Sequence, residues 1–80
     1  MSYLPRKVKR RILINRDGGH CYYCRARLTV DSSTLDHVVP RALGGSNSLH
    51  NLRLACPTCN ARKADKPPHV FIAMMMQGVA

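Results

Sequence analysis

Apolar residues fall in short bursts along the chain, and their spacing changes from stretch to stretch. Leu4, Val8 and Ile12 are four apart with Leu13 beside them, which puts them on one face of a helix. Arg6, Lys7, Lys9, Arg10 and Arg11 fill the other positions. Pro5 suits a first helical turn and Asp17-Gly18-Gly19 ends one, so a basic helix is predicted over 5–16. Leu28-Thr29-Val30 reads as a short strand and Asp31-Ser32-Ser33 as a turn. Residues 34–39 carry two β-branched valines and read as a strand ending at Pro40. Gly44-Gly45-Ser46-Asn47 reads as a flexible loop, and 51–55 as a second short apolar strand. Residues 60–65 read as a short helix stopped by Pro67-Pro68. The apolar tail over 70–76 reads as a helix that packs as a lid on a small core, with partner binding as the alternative.

The chain has 80 residues, one domain's worth, with one Phe, no Trp and three Tyr. So short and apolar-poor a chain needs a staple beyond core packing: disulfides, a metal or oligomerisation. Thirteen Lys and Arg against four Asp and Glu give a formal charge of +9. Such a balance points to a polyanionic partner, nucleic acid first and an anionic membrane surface second. No apolar run approaches the roughly 20 residues of a membrane span.

Cys21-Tyr22-Tyr23-Cys24 and Cys56-Pro57-Thr58-Cys59 form two C-x-x-C knuckles with 31 residues between them. The start, Met1-Ser2-Tyr3-Leu4-Pro5, leads into basic residues rather than an apolar stretch, so an intracellular, reducing location is expected. There, paired C-x-x-C sequences read as a zinc site more readily than as two disulfides. An iron–sulfur cluster is disfavoured because the knuckles resemble zinc ribbons and no third cysteine group is present. Four thiolates satisfy tetrahedral Zn²⁺ and leave no open position, so Cys21, Cys24, Cys56 and Cys59 read as a structural site. Binding would supply folding free energy of order 10 kcal/mol. The site would trim the net charge to about +7.

Asp36 and His37 are adjacent on a predicted strand, and Asn60 follows the ligand Cys59 directly. Strand neighbours point to opposite faces, so a shared site needs a twist or bulge near Pro40. A carboxylate and an amide oxygen suit a hard cation such as Mg²⁺. Histidine, with an ordinary pKa of about 6.5, can take a proton from water near neutrality. Together the three suit phosphodiester hydrolysis.

The ordered set Leu35-Asp36-His37-Val38-Val39-Pro40, Gly44-Gly45-Ser46, Asn51-Leu52, Cys56-Pro57-Thr58-Cys59-Asn60 and Lys63 resembles the HNH endonuclease family, notably its small zinc-containing phage and bacterial members. The resemblance covers roughly 18–66 and implies an α+β ββα-metal (His-Me finger) fold. It divides the chain into a basic helical arm (1–17), a zinc-stapled ββα core (18–66) and a C-terminal tail (67–80). It implies that Asp36 ligates a catalytic cation, that His37 is the general base, and that Asn51 braces the loop orienting His37. Asn60 takes the second ligand position, where the family often has His. Asn is the harder, weaker ligand, which favours Mg²⁺ or Mn²⁺. Arg41, His50, Arg62, Lys63 and Lys66 near the site, with Lys7, Arg10 and Arg11 on the arm, are the expected nucleic-acid contacts. Lys63, three residues after Asn60, shares its helix face.

The leading expectation is a metal-dependent DNA endonuclease that nicks or cuts with little sequence choice. RNA stays open as a substrate, and a homodimer or a phage packaging partner is compatible with this reading. The cytoplasm of a bacterium or phage-infected cell is the expected setting. A non-catalytic zinc-ribbon that binds nucleic acid shares the charge and the cysteines but has no need of Asp36, His37, Asn51 and Asn60. A zinc-stabilised interaction module using the apolar tail is a third alternative.

Overall fold

The structure, a computed structural model, describes residues 4–78. Helix α1 spans Arg6–Asp17, strand β1 Thr34–His37, strand β2 Leu52–Ala55, helix α2 Pro57–Lys63 and helix α3 Pro68–Met76. The two strands pair antiparallel, with Thr34 opposite Ala55, Asp36 opposite Arg53 and His37 opposite Leu52. α2 follows β2 directly and packs on β1, giving a ββα unit, while α1 lies against both strands. The fold class is small α+β, as predicted.

The core is thin. Leu13, Leu28, Leu35, Leu52, Leu54, Ala55 and Phe71 are buried together with the cysteines Cys21 and Cys59. Two of its nine members are thus potential metal ligands, so core and staple are one structure. α1 enters through its C-terminal half: Leu13 is fully buried, whereas Val8 stays exposed, so the stripe through Leu4, Val8 and Ile12 is not the main buried face. Arg16 secures this docking by donating to Leu49 O and Leu52 O, each at 2.9 Å. Gly18 ends α1 at φ +86°, a conformation that favours glycine.

Residues 28–30 form no strand, contrary to the sequence pattern. Side chains there satisfy backbone groups that a ladder would otherwise need. Ser32 Oγ accepts from Thr29 N–H at 2.8 Å, and Ser33 Oγ donates to Val30 O at 3.0 Å. β1 stops at His37, two residues early, because Val38 N–H donates to Asn51 O and Val39 N–H to the Asn51 side chain. α2 begins three residues earlier than predicted. Pro57 occupies its first turn, and Cys56 caps it by accepting from Cys59 N–H at 3.3 Å. Pro68 does not merely stop α2 but opens α3, which inserts Phe71 into the core.

The 44–47 loop is pinned rather than loose. Short 3-10 turns at Arg41–Leu43 and Leu49–Asn51 flank it. Asn51 Nδ2 donates to Ser46 O at 2.7 Å and to Val39 O at 3.2 Å, while its Oδ1 accepts from Val39 N–H at 3.0 Å. Gly45 is required by this closeness, since a Cβ there would lie 1.7 Å from Val39 O.

Candidate active site and metal centre

The two knuckles bring four free cysteines into one cluster, with all four Sγ atoms within 4.8 Å of one another. Cys24 and Cys56 Sγ are 3.9 Å apart. A tetrahedral ion with metal–sulfur bonds of about 2.3 Å sets its sulfurs about 3.8 Å apart, so the cluster fits such an ion. Burial pushes the Cys21 thiol up, but backbone N–H groups of Cys24, Cys56 and Tyr23 outweigh it and bring the pKa down to about 7. Burial and neighbouring thiols push the Cys59 thiol up. The first knuckle is tied to the sheet by Tyr22 N–H donating to Leu54 O at 2.8 Å.

Asp36, His37 and Asn60 line one cleft of about 220 Å³ between β1 and α2, together with Leu35, Pro40, Arg41, Ala64 and Asp65. Strand alternation does not separate Asp36 from His37, because β1 ends at His37 and the chain turns away there. Asn60, placed by its neighbour Cys59, donates from Nδ2 to Thr34 Oγ1 at 2.9 Å and to Leu35 O at 3.4 Å. Its Oδ1 accepts no hydrogen bond among the described residues.

Asp36 is 2% exposed, so only a small ligand such as a cation can reach it. Lys63 Nζ pairs with its Oδ1 at 3.1 Å, and Tyr23 donates its hydroxyl to Oδ2. Each carboxylate oxygen has two acceptor sites, so both keep a lone pair for a cation. With Asn60 Oδ1, this donor set fits a hard divalent ion. Burial, first, and the Asp36 carboxylate, second, push the Tyr23 phenol well above its ordinary range, so its proton stays in place to donate.

His37 is half-buried and lies between this cleft and a second one lined by Lys9, Arg41, Asn47 and Leu52. Its Nε2 is 2.7 Å from Asn47 Oδ1. An amide oxygen only accepts, so Nε2 carries the proton and Nδ1 of the neutral ring is left as the acceptor. Lys9 Nζ donates to Asn47 O at 2.9 Å, tying α1 to the same loop.

The expected phosphate contacts divide. Arg41 is exposed and lines both clefts. Lys7, Arg11, His50 and Arg62 are exposed but line neither, and Lys66 donates to Arg62 O at 3.2 Å. Arg10 donates to Val30 O at 3.0 Å and so has a structural task. Lys63 departs from the expectation outright. It is 1% exposed, pairs with Asp36 and donates to His37 O at 3.0 Å, so it belongs to the site's interior and not to a phosphate-facing rim. Its shared helix face with Asn60 was the correct signal for closeness, but burial decided its partner. Tyr23, Asn47 and Asp65 also reach the site, without a spacing signal in the sequence. Only the position of Tyr23 inside a knuckle hinted at its place.

The HNH endonuclease family pattern matches residues 21–76. The CRISPR-associated endonuclease Cas9 of Corynebacterium diphtheriae is 38% identical over 55 residues, 68% of this chain. That of Actinomyces naeslundii is 39% identical over 51 residues, 62% of this chain. The chain spans about 5% of the length of these relatives. The crystal structure of the Type II-C Cas9 enzyme from Actinomyces naeslundii superposes with a TM-score of 0.76 at 30% identity, covering 88% of this chain and 8% of that one. With the family pattern matched across both knuckles, both strands and the helices that follow, the chain belongs to the HNH endonuclease family and is a nuclease.

Proposed function

We propose that the chain is a divalent-metal-dependent DNA endonuclease domain that hydrolyses phosphodiester bonds with little sequence choice. The observation that carries this reading is the convergence of Asp36, His37 and Asn60 on one cleft at the junction of β1 and α2. Asp36 and Asn60 would hold Mg²⁺ or Mn²⁺, and the four cysteines would hold Zn²⁺. The cation, when bound, supplies stabilisation of the negative charge that develops at phosphorus and on the leaving oxygen. His37 Nδ1 takes the proton from the attacking water as its oxygen bonds to phosphorus and the scissile P–O bond breaks. Asn47 holds the imidazole in the tautomer this requires, and Asn51 holds the loop that carries Asn47.

Asp36 is too buried to meet a phosphate, so substrate clamping falls to the exposed Arg41 at the cleft, with the exposed Lys7, Arg11 and Arg62 and the half-buried Lys66 as further cations outside it. Contacts of this kind read charge and not sequence, and their strength falls steeply with salt. Endonuclease chemistry is supported by the two relatives named as CRISPR-associated endonucleases, and a polyanionic substrate such as DNA by the formal charge of +9.

The test is cleavage of supercoiled plasmid by zinc-loaded protein with Mg²⁺, with Mn²⁺ and with EDTA, beside a single-stranded RNA arm. Nicked or linear plasmid with either ion, abolished by EDTA, is expected. Cleavage that persists in EDTA contradicts metal dependence, and cleavage of RNA alone contradicts DNA as the substrate.

A further inference from the structure

Among the described residues, Tyr23 is the knuckle side chain that hydrogen-bonds Asp36, and the proposed function gives it no task. It sits between Cys21 and Cys24, so a filled cysteine site fixes its backbone. Two further hydrogen bonds hold the knuckle: Cys21 N–H donates to Ala26 O and Tyr22 N–H to Leu54 O, each at 2.8 Å. The ring is held edge-on from two sides. Its centroid is 5.1 Å from that of Phe71 at 82° and 5.2 Å from that of Tyr22 at 87°. From this fixed ring the hydroxyl donates to Asp36 Oδ2.

We infer that Tyr23 is a positioning residue for the divalent cation: it fixes the rotation of the Asp36 carboxylate and thereby sets the cation's affinity. This inference rests on the proposal that Asp36 ligates that cation. A carboxylate held at one oxygen can still turn about its Cβ–Cγ bond. Lys63 holds Oδ1, and Tyr23 holds Oδ2 from another part of the chain. Two donors at two oxygens leave one plane, and the free lone pairs then point in set directions. Partners that orient a metal's ligands typically carry a tenfold to hundredfold share of its affinity. Tyr23→Phe removes the hydroxyl and keeps the ring contacts with Phe71 and Tyr22.

Mn²⁺ binding to the zinc-loaded protein, followed by the electron paramagnetic resonance of the free ion, tests this without reference to cleavage. Native protein, Tyr23→Phe, Tyr22→Phe and Asp36→Asn are compared, with zinc content and near-UV circular dichroism recorded for each. Tyr23→Phe is expected to bind Mn²⁺ roughly tenfold to hundredfold more weakly with zinc retained, and Tyr22→Phe as the native protein does. In cleavage, Tyr23→Phe should raise the Mn²⁺ concentration for half-maximal rate, while the rate at saturating Mn²⁺ recovers. Native Mn²⁺ affinity in Tyr23→Phe overturns the inference. Native affinity in Asp36→Asn instead overturns the ligand assignment beneath it. Should Tyr23→Phe lose zinc, Phe71→Leu removes the ring's support and keeps the hydroxyl; weaker Mn²⁺ binding there supports the inference and unchanged binding overturns it.

Discussion

His37 Nε2 lies 2.7 Å from Asn47 Oδ1, an oxygen that only accepts, so this contact favours the tautomer with the proton on Nε2. In the neutral imidazole only one nitrogen accepts, and with Nε2 protonated it is Nδ1. Asn47→Ala frees the tautomer but keeps the base, so a roughly tenfold fall in kcat with unchanged DNA binding is expected, below the about 10²–10⁴-fold of losing a general base outright. Asn47→Asp puts a carboxylate beside the ring and favours imidazolium. The base must then be deprotonated at higher pH, so the acid limb of the pH–rate profile moves up. Nitrogen-15 shifts of His37 report the tautomer directly and should show Nε2–H in the native protein.

Lys63 and Asp36 form an ion pair at 1% and 2% exposure. Breaking such a pair leaves a buried charge alone, at a cost of about 3–5 kcal/mol. Lys63→Met is therefore expected to lower the denaturation midpoint severely. Pairing it with Asp36→Leu, which removes both charges, should recover much of the loss while leaving the protein inactive. Urea titrations of the two variants check this, and equal losses in both would contradict it.

Asn51 uses both ends of its amide, accepting from Val39 N–H and donating to Val39 O and Ser46 O. Asn51→Asp keeps the acceptor but points a carboxylate oxygen at two carbonyls. A loss of roughly 2–4 kcal/mol is expected, from unmade hydrogen bonds and repulsion at a buried position. Thermal unfolding measures it. Asn51→Asp should be no milder than Asn51→Ala, although it is the closer replacement in shape.

What could be read from the residues followed from how local each signal was. The knuckles, the Asp36-His37 pair, Asn60 directly after Cys59 and the helix-bounding Pro5 and Gly18 are all short-range patterns, and the structure brings the first three to adjoining sites. Tyr23 with Asp36 and Lys63 with Asp36 are contacts across 13 and 27 positions between different elements, invisible to spacing. The 28–30 segment had a strand's composition, but Thr29, Ser32 and Ser33 supplied side-chain hydrogen bonds that a turn could use. The stripe through Leu4, Val8 and Ile12 was real as a helical period, yet docking was decided at the other end of α1, by Leu13 and Arg16.

The cysteine cluster supplies part of the core itself, through Cys21 and Cys59. Zinc removal should therefore unfold the chain rather than merely inactivate it. Treatment with a zinc-selective chelator is expected to abolish near-UV circular dichroism and most helical signal, and re-addition of Zn²⁺ to restore both. Cys56→Ser should do the same, since it removes a thiolate from the cluster, even though serine can still cap α2. Native spectra after complete zinc removal would contradict the role given to the cluster.

If His37 activates water in the cleft it shares with Asp36 and Asn60, its loss should slow the chemical step and leave binding untouched. The most direct measurement is single-turnover cleavage of a labelled DNA duplex in Mg²⁺ by native protein and by His37→Ala, with duplex affinity measured for both. His37→Ala is expected to cleave roughly 10²–10⁴-fold more slowly at unchanged affinity. Cleavage at the native rate by a folded, zinc-loaded His37→Ala would contradict it.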